Sequence, residues 1–235
     1  SIRIRKAGDE VEAEPGFFEG DTVAHCGPLL KGEFARTLNL TDVHTGWVFT
    51  RTVRNNAHVH ILGALKAGVK EVPFEVTGLD FDNGSEFLNK TVIAWAADLE
   101  IFFTRSRAYK KNDQATIESK NNHLVRRYGF YYRYDTPLEL DLLNQLWALA
   151  NDRLTQEMGT ARAIQIRLLP GSQPLVPGYE VTGASIPSRE IGGDYYDFLA
   201  QGDDAIGIAI GDVSGKGTPA ALLMSNLQAS LHGQV

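Results

Sequence analysis

This chain has little with which to brace itself covalently and nothing with which to enter a bilayer. The single cysteine, Cys26, excludes an internal disulfide and a cysteine-based zinc site. No apolar run approaches the roughly 18 residues that a membrane-spanning helix needs. No signal-peptide pattern is expected at the start either, because Arg3, Arg5 and Lys6 lead into acidic residues instead of an apolar core. There is no internal repeat and no low-complexity segment. Excess positive charge is absent too: the formal net charge is −6, which as a sum argues weakly against a nucleic-acid binder, although the charge is unevenly distributed. What remains is ordinary globular composition, 43% apolar and 22% charged, with no membrane contact expected and the cytoplasm as the expected location. The 235 residues suffice for one large domain or two small ones. The start at Ser instead of Met suggests a fragment.

The pattern of elements divides the chain. Residues 1–15 are polar and mixed in charge, and little order is expected there. Phe17–His25, Glu33–Leu40 and Gly46–Val53 read as three strands of an antiparallel meander. Asn56–Lys70 is helical by period, with Ile61, Leu62, Leu65 and Val69 on one face. The stretch TGLDFDNGSEFLN, residues 77–89, reads as a short strand, a tight turn at Asp82-Asn83-Gly84, and a helix opening at Ser85 and Glu86. Leu99–Thr104 is a further strand, Arg105–Asp113 a basic loop, and Gln114 to about Tyr131 a helix. One long helix runs from Pro137 to Pro170-Gly171. Beyond it, short strands are expected at Gly178–Ala184 and Ala205–Ile210, with a final helix at Thr218–Leu231. The fold class expected is α/β, a mixed sheet with helices on both faces.

Three carboxylates stand at informative places: Asp21 in mid-strand, where Asp is depleted, Asp82 at a strand end, and Glu118 on a helix. Thirty-five residues separate Asp82 from Glu118. Three converging carboxylates repel by roughly 4 kcal/mol per pair at 4 Å in an effective dielectric near 20. A bound hard cation with oxygen ligands removes that penalty. Asp42 and Asp80 read as turn and strand-edge residues. His25 fits either the site or the core, and His58 and His60 read as surface residues.

The segments EGDTVAH, FDNGSEFLN and DQATIESKNNHLVRR resemble the three motif segments of the DDE-type integrase/transposase catalytic core, found in bacterial insertion-sequence transposases. The resemblance covers about residues 15–154. It implies an RNase H-like fold and metal-dependent DNA cleavage and strand transfer, that is, DNA integration and recombination. It also implies Asp21, Asp82 and Glu118 as catalytic residues holding two Mg²⁺ or Mn²⁺ ions, DNA as the partner through element ends and target, and a homo-oligomer. Two such ions stabilise the attacking and leaving oxygens of an in-line displacement. Arg105, Arg107, Lys110, Lys111, Lys120, Asn122, Arg126 and Arg127 cluster around Glu118 and are the expected DNA contacts. Arg133 lies near them. Tyr109, Tyr128, Tyr131 and Tyr132 are interleaved, either to stack on bases or to pack inward. Asn121 suits either phosphate contact or helix capping.

A second set of segments, ARAIQIRLLP, IPSREIGGDYYDFL and GIAIGDVSGKGTPAALLMSNLQASL, resembles the opening of SpoIIE/RsbU-type serine/threonine phosphatases of bacterial stress and sporulation signalling. The resemblance implies Asp194, Asp212 and the Val213 carbonyl as metal ligands for further ions. It also implies a truncated α+β sandwich, inactive and poorly packed, whose phosphoprotein substrate would need a longer chain. GDVSGKGT mimics a phosphate-binding loop, but the spacing and the missing Ser/Thr after Lys216 reject that reading. The expected organisation is a polar segment at 1–15, an RNase H-like core at 16–154 and a partial phosphatase domain at 155–235. The seam near Leu154-Thr155 is either a genuine fusion or an accidental joining of two coding sequences. A third reading is a non-catalytic chain that associates through its long helix.

Overall fold

The computed structural model describes residues 2–5, 14–107, 115–186, 191–201, 205–214 and 218–233, without the side chains of residues 115, 116, 118 and 218. The chain divides into two compact units, Ser1–Arg153 and Leu154–Val235.

The first unit is built on a six-stranded sheet. Its strands are β1 (Arg3–Arg5), β2 (Phe17–Ala24), β3 (Arg36–Asp42), β4 (Val48–Val53), β5 (Gly78–Phe81) and β6 (Phe102–Ser106). They lie in the order β1-β6-β5-β2-β3-β4, with β3 antiparallel to both its neighbours and the other pairs parallel. This is a mixed α/β arrangement with a mixed sheet, consistent with the expected RNase H-like class. Helices α1 (His58–Glu71), α2 (Lys90–Asp98), α3 (Ala115–Lys120), α4 (Arg127–Gly129) and the start of α5 (Pro137–Ile166) belong to this unit. A π-helical turn, Asn121–Arg126, joins α3 to α4.

Alternation along the strands gives the sheet two different faces. Phe18, Leu38, Leu40, Phe49, Leu79 and Phe81 point to one side and form the core with Ile61, Ala64 and Leu65 of α1 and Val92 and Ala96 of α2. Gly20 permits this packing, since a Cβ there would stand 2.2 Å from the ring of Phe81. Glu19, Thr37, Asn39, Asp80 and Thr104 alternate to the other side, and all are buried. Part of this polar face is served by α5. Trp147 donates from Nε1 to Thr52 Oγ1 at 2.6 Å. The Asn144 side chain accepts from Thr52 N at 2.8 Å and donates to Thr52 O at 3.1 Å. A capping box starts α5: Glu139 Oε2 accepts from Thr136 N, and Thr136 Oγ1 accepts from Glu139 N.

Several expectations change. Residues 3–5 are ordered as β1, because Arg5 neutralises the buried Glu19 instead of being solvated. Residues 6–13 lie outside the described residues. Ser85 and Glu86 do not open α2: they sit in a turn, and Asn89 caps the helix by accepting from Val92 N at 3.0 Å. The helix expected from Gln114 to Tyr131 is interrupted by the π-helical turn and ends at Phe130, which has φ 52°. Asp80 is no edge residue, since β5 lies between β2 and β6.

In the second unit, β7 (Asp194–Gln201) and β8 (Ala205–Asp212) form an antiparallel pair, followed by α6 (Thr218–His232). Buried Tyr195 and Leu199 of β7 share a face, and α6 contributes buried Ala220, Ala221 and Met224. On the same face of β7, Asp197 accepts from the Tyr195 hydroxyl and pairs with His232 Nε2 at 2.6 Å, tying α6 to the hairpin. Residues 178–184 form no strand. A lone bridge links Val176 and Tyr179 around Gly178, at φ +79°, and among the described residues no strand pairs with this stretch. The sequence reading missed β7. Ile208 and Ile210 on β8 and Leu222 and Leu223 on α6 are exposed. Among the described residues, no helix is long and apolar enough to cross a membrane.

Candidate functional site

The parallel register of β2 and β5 pairs Glu19 with Asp80 and Gly20 with Phe81. One step further along both strands, Asp82 follows β5 beside Asp21. Asp21 Oδ1 accepts from Thr22 N at 2.6 Å, and its Oδ2 accepts from Asn121 Nδ2 at 2.7 Å. Asn121 is held in turn by Asn39 Nδ2, which donates to its Oδ1 at 3.0 Å. The Asp21 carboxylate is therefore fixed by three elements: its own strand, the neighbouring strand β3, and the π-helical turn. Asp82 Oδ1 accepts from Gly84 N at 2.8 Å, the hydrogen bond that closes the Asp-Asn-Gly turn.

Electrostatically the pair is only partly relieved. Burial, and then the charge of Asp82, push the Asp21 carboxyl up to about 6 from its ordinary 3.8; Glu86 adds to this, while the Thr22 N–H and Arg126 oppose it. Burial also raises Asp82, with Glu86 adding and the Gly84 N–H and Arg36 opposing. Glu86 thus belongs to this cluster. It accepts from Thr22 Oγ1 at 3.2 Å and pairs with Arg36 at 3.8 Å. Its place in the DNGSEF string was visible, but its part in the site was not.

Of the third predicted carboxylate, Glu118, the backbone lies in α3 and the side chain is outside the described residues. The residue before it, Ile117, is buried and donates its N–H to Glu19 Oε2 at 3.0 Å. Glu19 itself is raised, first by burial and also by Asp80, against the Ile117 N–H and Arg5. Neither Glu19 nor Asn39 was anticipated. Asp residues in strands draw attention; a Glu two residues earlier gives no signal until the register puts it on the same buried face.

The predicted DNA-contacting residues are only partly described, since Lys110 and Lys111 lie outside the described residues. Arg126 stands close enough to Asp21 to lower its carboxyl, and it donates to Asn122 Oδ1 at 2.6 Å. Arg105 donates to Asn83 Oδ1 at 2.5 Å, beside the Asp82 turn. Arg127 lies 5.8 Å from the centroid of the Tyr128 ring. Lys120 ends α3, and Arg107 is exposed. Phe130, Tyr131 and Tyr132 form an exposed aromatic run. His25 belongs to the core, bonded to Thr37 Oγ1 at 2.6 Å and packed between Tyr134 and Trp147, and burial lowers it to about 4.

In the second unit, Asp194 and Asp212 are direct cross-strand partners, both exposed. Val213 N donates to Gly193 O at 3.3 Å, and a Cβ on Gly193 would stand 2.4 Å from the Val213 carbonyl oxygen.

The donor chemistry of Asp21 and Asp82 suits a hard divalent cation: oxygen ligands, partly buried, both raised by burial, with the Asp82 charge further raising Asp21. Among the described residues no group of three His, Cys, Asp or Glu side chains is arranged to hold a metal ion.

Comparison with known proteins agrees with the first unit. Residues 12–111 match the family described as Integrase core domain. An uncharacterized protein of Sinorhizobium fredii, y4rM, is 42% identical over 133 residues, 57% of this chain and 38% of that protein. Protein IcfG of Synechocystis is 39% identical over 80 residues, 34% of this chain and 12% of its own length. Phosphoserine phosphatase RsbU of Bacillus subtilis is 36% identical over 78 residues, 33% of this chain and 23% of its own. The chain thus spans well under half the length of these relatives. The catalytic core domain of BIV integrase superposes with a TM-score of 0.42 at 14% identity, covering 57% of this chain and 80% of that one. The similarity to the Integrase core domain family is confined to residues 12–111, under half of the chain.

Proposed function

We propose that the first unit cleaves DNA and transfers strands by metal-dependent transesterification, as a DDE-type transposase or integrase. The observation that carries the reading is the convergence of Asp21 and Asp82 from adjacent strands, each raised by burial and Asp21 also by its neighbour's charge. Asp21, Asp82 and Glu118 would hold Mg²⁺ or Mn²⁺. When bound, such ions supply charge neutralisation at the oxygens exchanged at phosphorus. Asn121 holds the Asp21 carboxylate at one oxygen and leaves the rest of it directed by the Thr22 N–H. Arg105, Arg107, Lys110, Lys111, Lys120, Asn122, Arg126 and Arg127 would bind phosphates of the element ends and target, as a homo-oligomer. The core would occupy residues 16–154.

The second reading assigns residues 155–235 to a partial serine/threonine phosphatase domain. It is favoured by the Asp194–Asp212 pairing, since like charges directly opposite on a ladder destabilise it unless a cation lies between them. Val213 would add its carbonyl.

Calorimetric titration of Mn²⁺ into the full chain, beside Asp82→Ala and Asp194→Ala, tests both. Loss of one class of site in each variant is expected. Unaltered binding in Asp82→Ala would remove the first reading, as would strand transfer on a DNA duplex that survives Glu118→Gln.

A further inference from the structure

Beneath the Asp21–Asp82 pair, two residues back on each strand, lies a second acidic layer that the proposed chemistry does not use. Glu19 and Asp80 are register partners on β2 and β5, and both are buried. Asp80 Oδ1 accepts from Thr104 Oγ1 of β6 at 2.5 Å. Glu19 divides its two oxygens between distant parts of the chain. Its Oε1 pairs with Arg5 Nη1 of β1 at 3.1 Å, and its Oε2 accepts the Ile117 N–H of α3 at 3.0 Å. Arg5 is itself fixed, with its guanidinium carbon 4.6 Å from the centroid of the Phe17 ring.

A buried glutamate at such a place is costly, because desolvating a charge outweighs most single contacts. A leucine or methionine would fill the space more cheaply. What Glu19 does that an apolar residue cannot is hold a backbone N–H in a short segment. Helix α3 has only 6 residues and passes into a π-helical turn, so its own ladder fixes it weakly. Ile117 immediately precedes Glu118, and Asn121, which bonds Asp21, lies four residues further on.

We propose that Glu19 is a positioning residue: it seats the backbone of α3 so that Glu118 and Asn121 meet Asp21, and Arg5 of β1 fixes the rotamer in which it does so. This rests on the reading of Asp21, Asp82 and Glu118 as a metal-holding set. It makes β1 part of the machinery, since the ion pair links the outermost strand, across β6 and β5, to the segment carrying the third carboxylate.

Two neutral variants separate the hydrogen bond from the charge. Glu19→Gln keeps an acceptor for Ile117 N–H; Glu19→Met keeps the length and loses the acceptor. Both are made in full-length chain carrying Asp194→Ala, so that Mn²⁺ binding reports on the first unit. Glu19→Met is expected to lose the hydrogen-exchange protection of the Ile117 amide and to weaken Mn²⁺ binding about 10-fold or more, the usual scale for residues that orient ligands. Glu19→Gln is expected to keep the protection and to bind Mn²⁺ with well under the roughly 10-fold loss of Glu19→Met. Equal losses in both variants, or parent-like binding in Glu19→Met, overturn the proposal. Should Glu19→Met fail to fold, Arg5→Met carries the test, with reduced Ile117 protection expected and unchanged protection overturning it. Asp82→Ala in the same series separates the two levels. If it binds Mn²⁺ like the parent, the metal-site reading has failed; if it loses binding while Glu19→Met does not, only the positioning role has failed.

Discussion

Two ionisable residues in the first unit, the partly buried Asp21 and the buried His25, pull the pH dependence of stability in opposite directions. Asp21 is raised to about 6 from 3.8, so between these values the folded chain keeps a proton that the unfolded chain has released. The contribution from this group therefore falls as pH rises through that window. His25 is lowered to about 4 from 6.5, so the unfolded chain binds the extra proton, and stability from this group is lost as pH falls from 6.5 to 4. Denaturant titrations at pH 7 and pH 4 should show the advantage of wild type over His25→Gln shrinking by up to about 3 kcal/mol at the acid end. Carboxyl NMR of the metal-free chain should find Asp21 titrating near 6 and shifting down in Asp82→Asn. An unmoved midpoint would mean that the two carboxylates do not feel each other.

At the scale of elements, the sequence made plain those features that repeat along the chain. The strand at 17–24, the helix at 58–71 and the placement of Asp82 at the end of β5 all follow from periodicity and turn chemistry. What stayed hidden depends on partners distant in sequence. Residues 1–15, with Arg3 and Arg5, read as a polar segment of little order because nothing local says that Glu19 and β6 await them. Asn89 was passed over as a cap because Ser85 and Glu86, a better-looking start, came first. Phe87 explains the outcome: it stacks on Phe81 at 4.2 Å between centroids, so the chain must complete a turn into the core before the helix can begin. Removing the true cap with Asn89→Ala should cost about 1 kcal/mol in thermal or denaturant unfolding. Ser85→Ala should cost far less.

For the whole molecule, the net charge of −6 and a DNA-directed role are compatible only if the cations are gathered locally. Arg126 acts on Asp21, Arg105 reaches the turn after Asp82, and Lys120 ends the short helix that carries Glu118. Affinity for duplex DNA should then fall steeply with salt. Arg105→Ala or Lys120→Ala should weaken binding across sequences alike and reduce the slope of log K against log salt by about 1. A slope unchanged in both variants would move the DNA elsewhere. The second unit gave up less to sequence reading. Its Asp194 and Asp212 were singled out, but β7 was missed, because Tyr, Asp and Phe alternate there with a charged residue on the buried face, where Tyr195 and His232 hold Asp197.

The paired hydrogen bonds of Asn144 with Thr52 have a consequence for how copies of the chain meet. Strand β4 is the outer edge of the sheet, where a foreign strand would ordinarily dock rung by rung. At Thr52 that rung is already taken by an amide that imitates the backbone of a neighbour. The sheet is thereby stopped at six strands on that side, and self-association that extends the ladder past Thr52 must first evict a side chain anchored on α5.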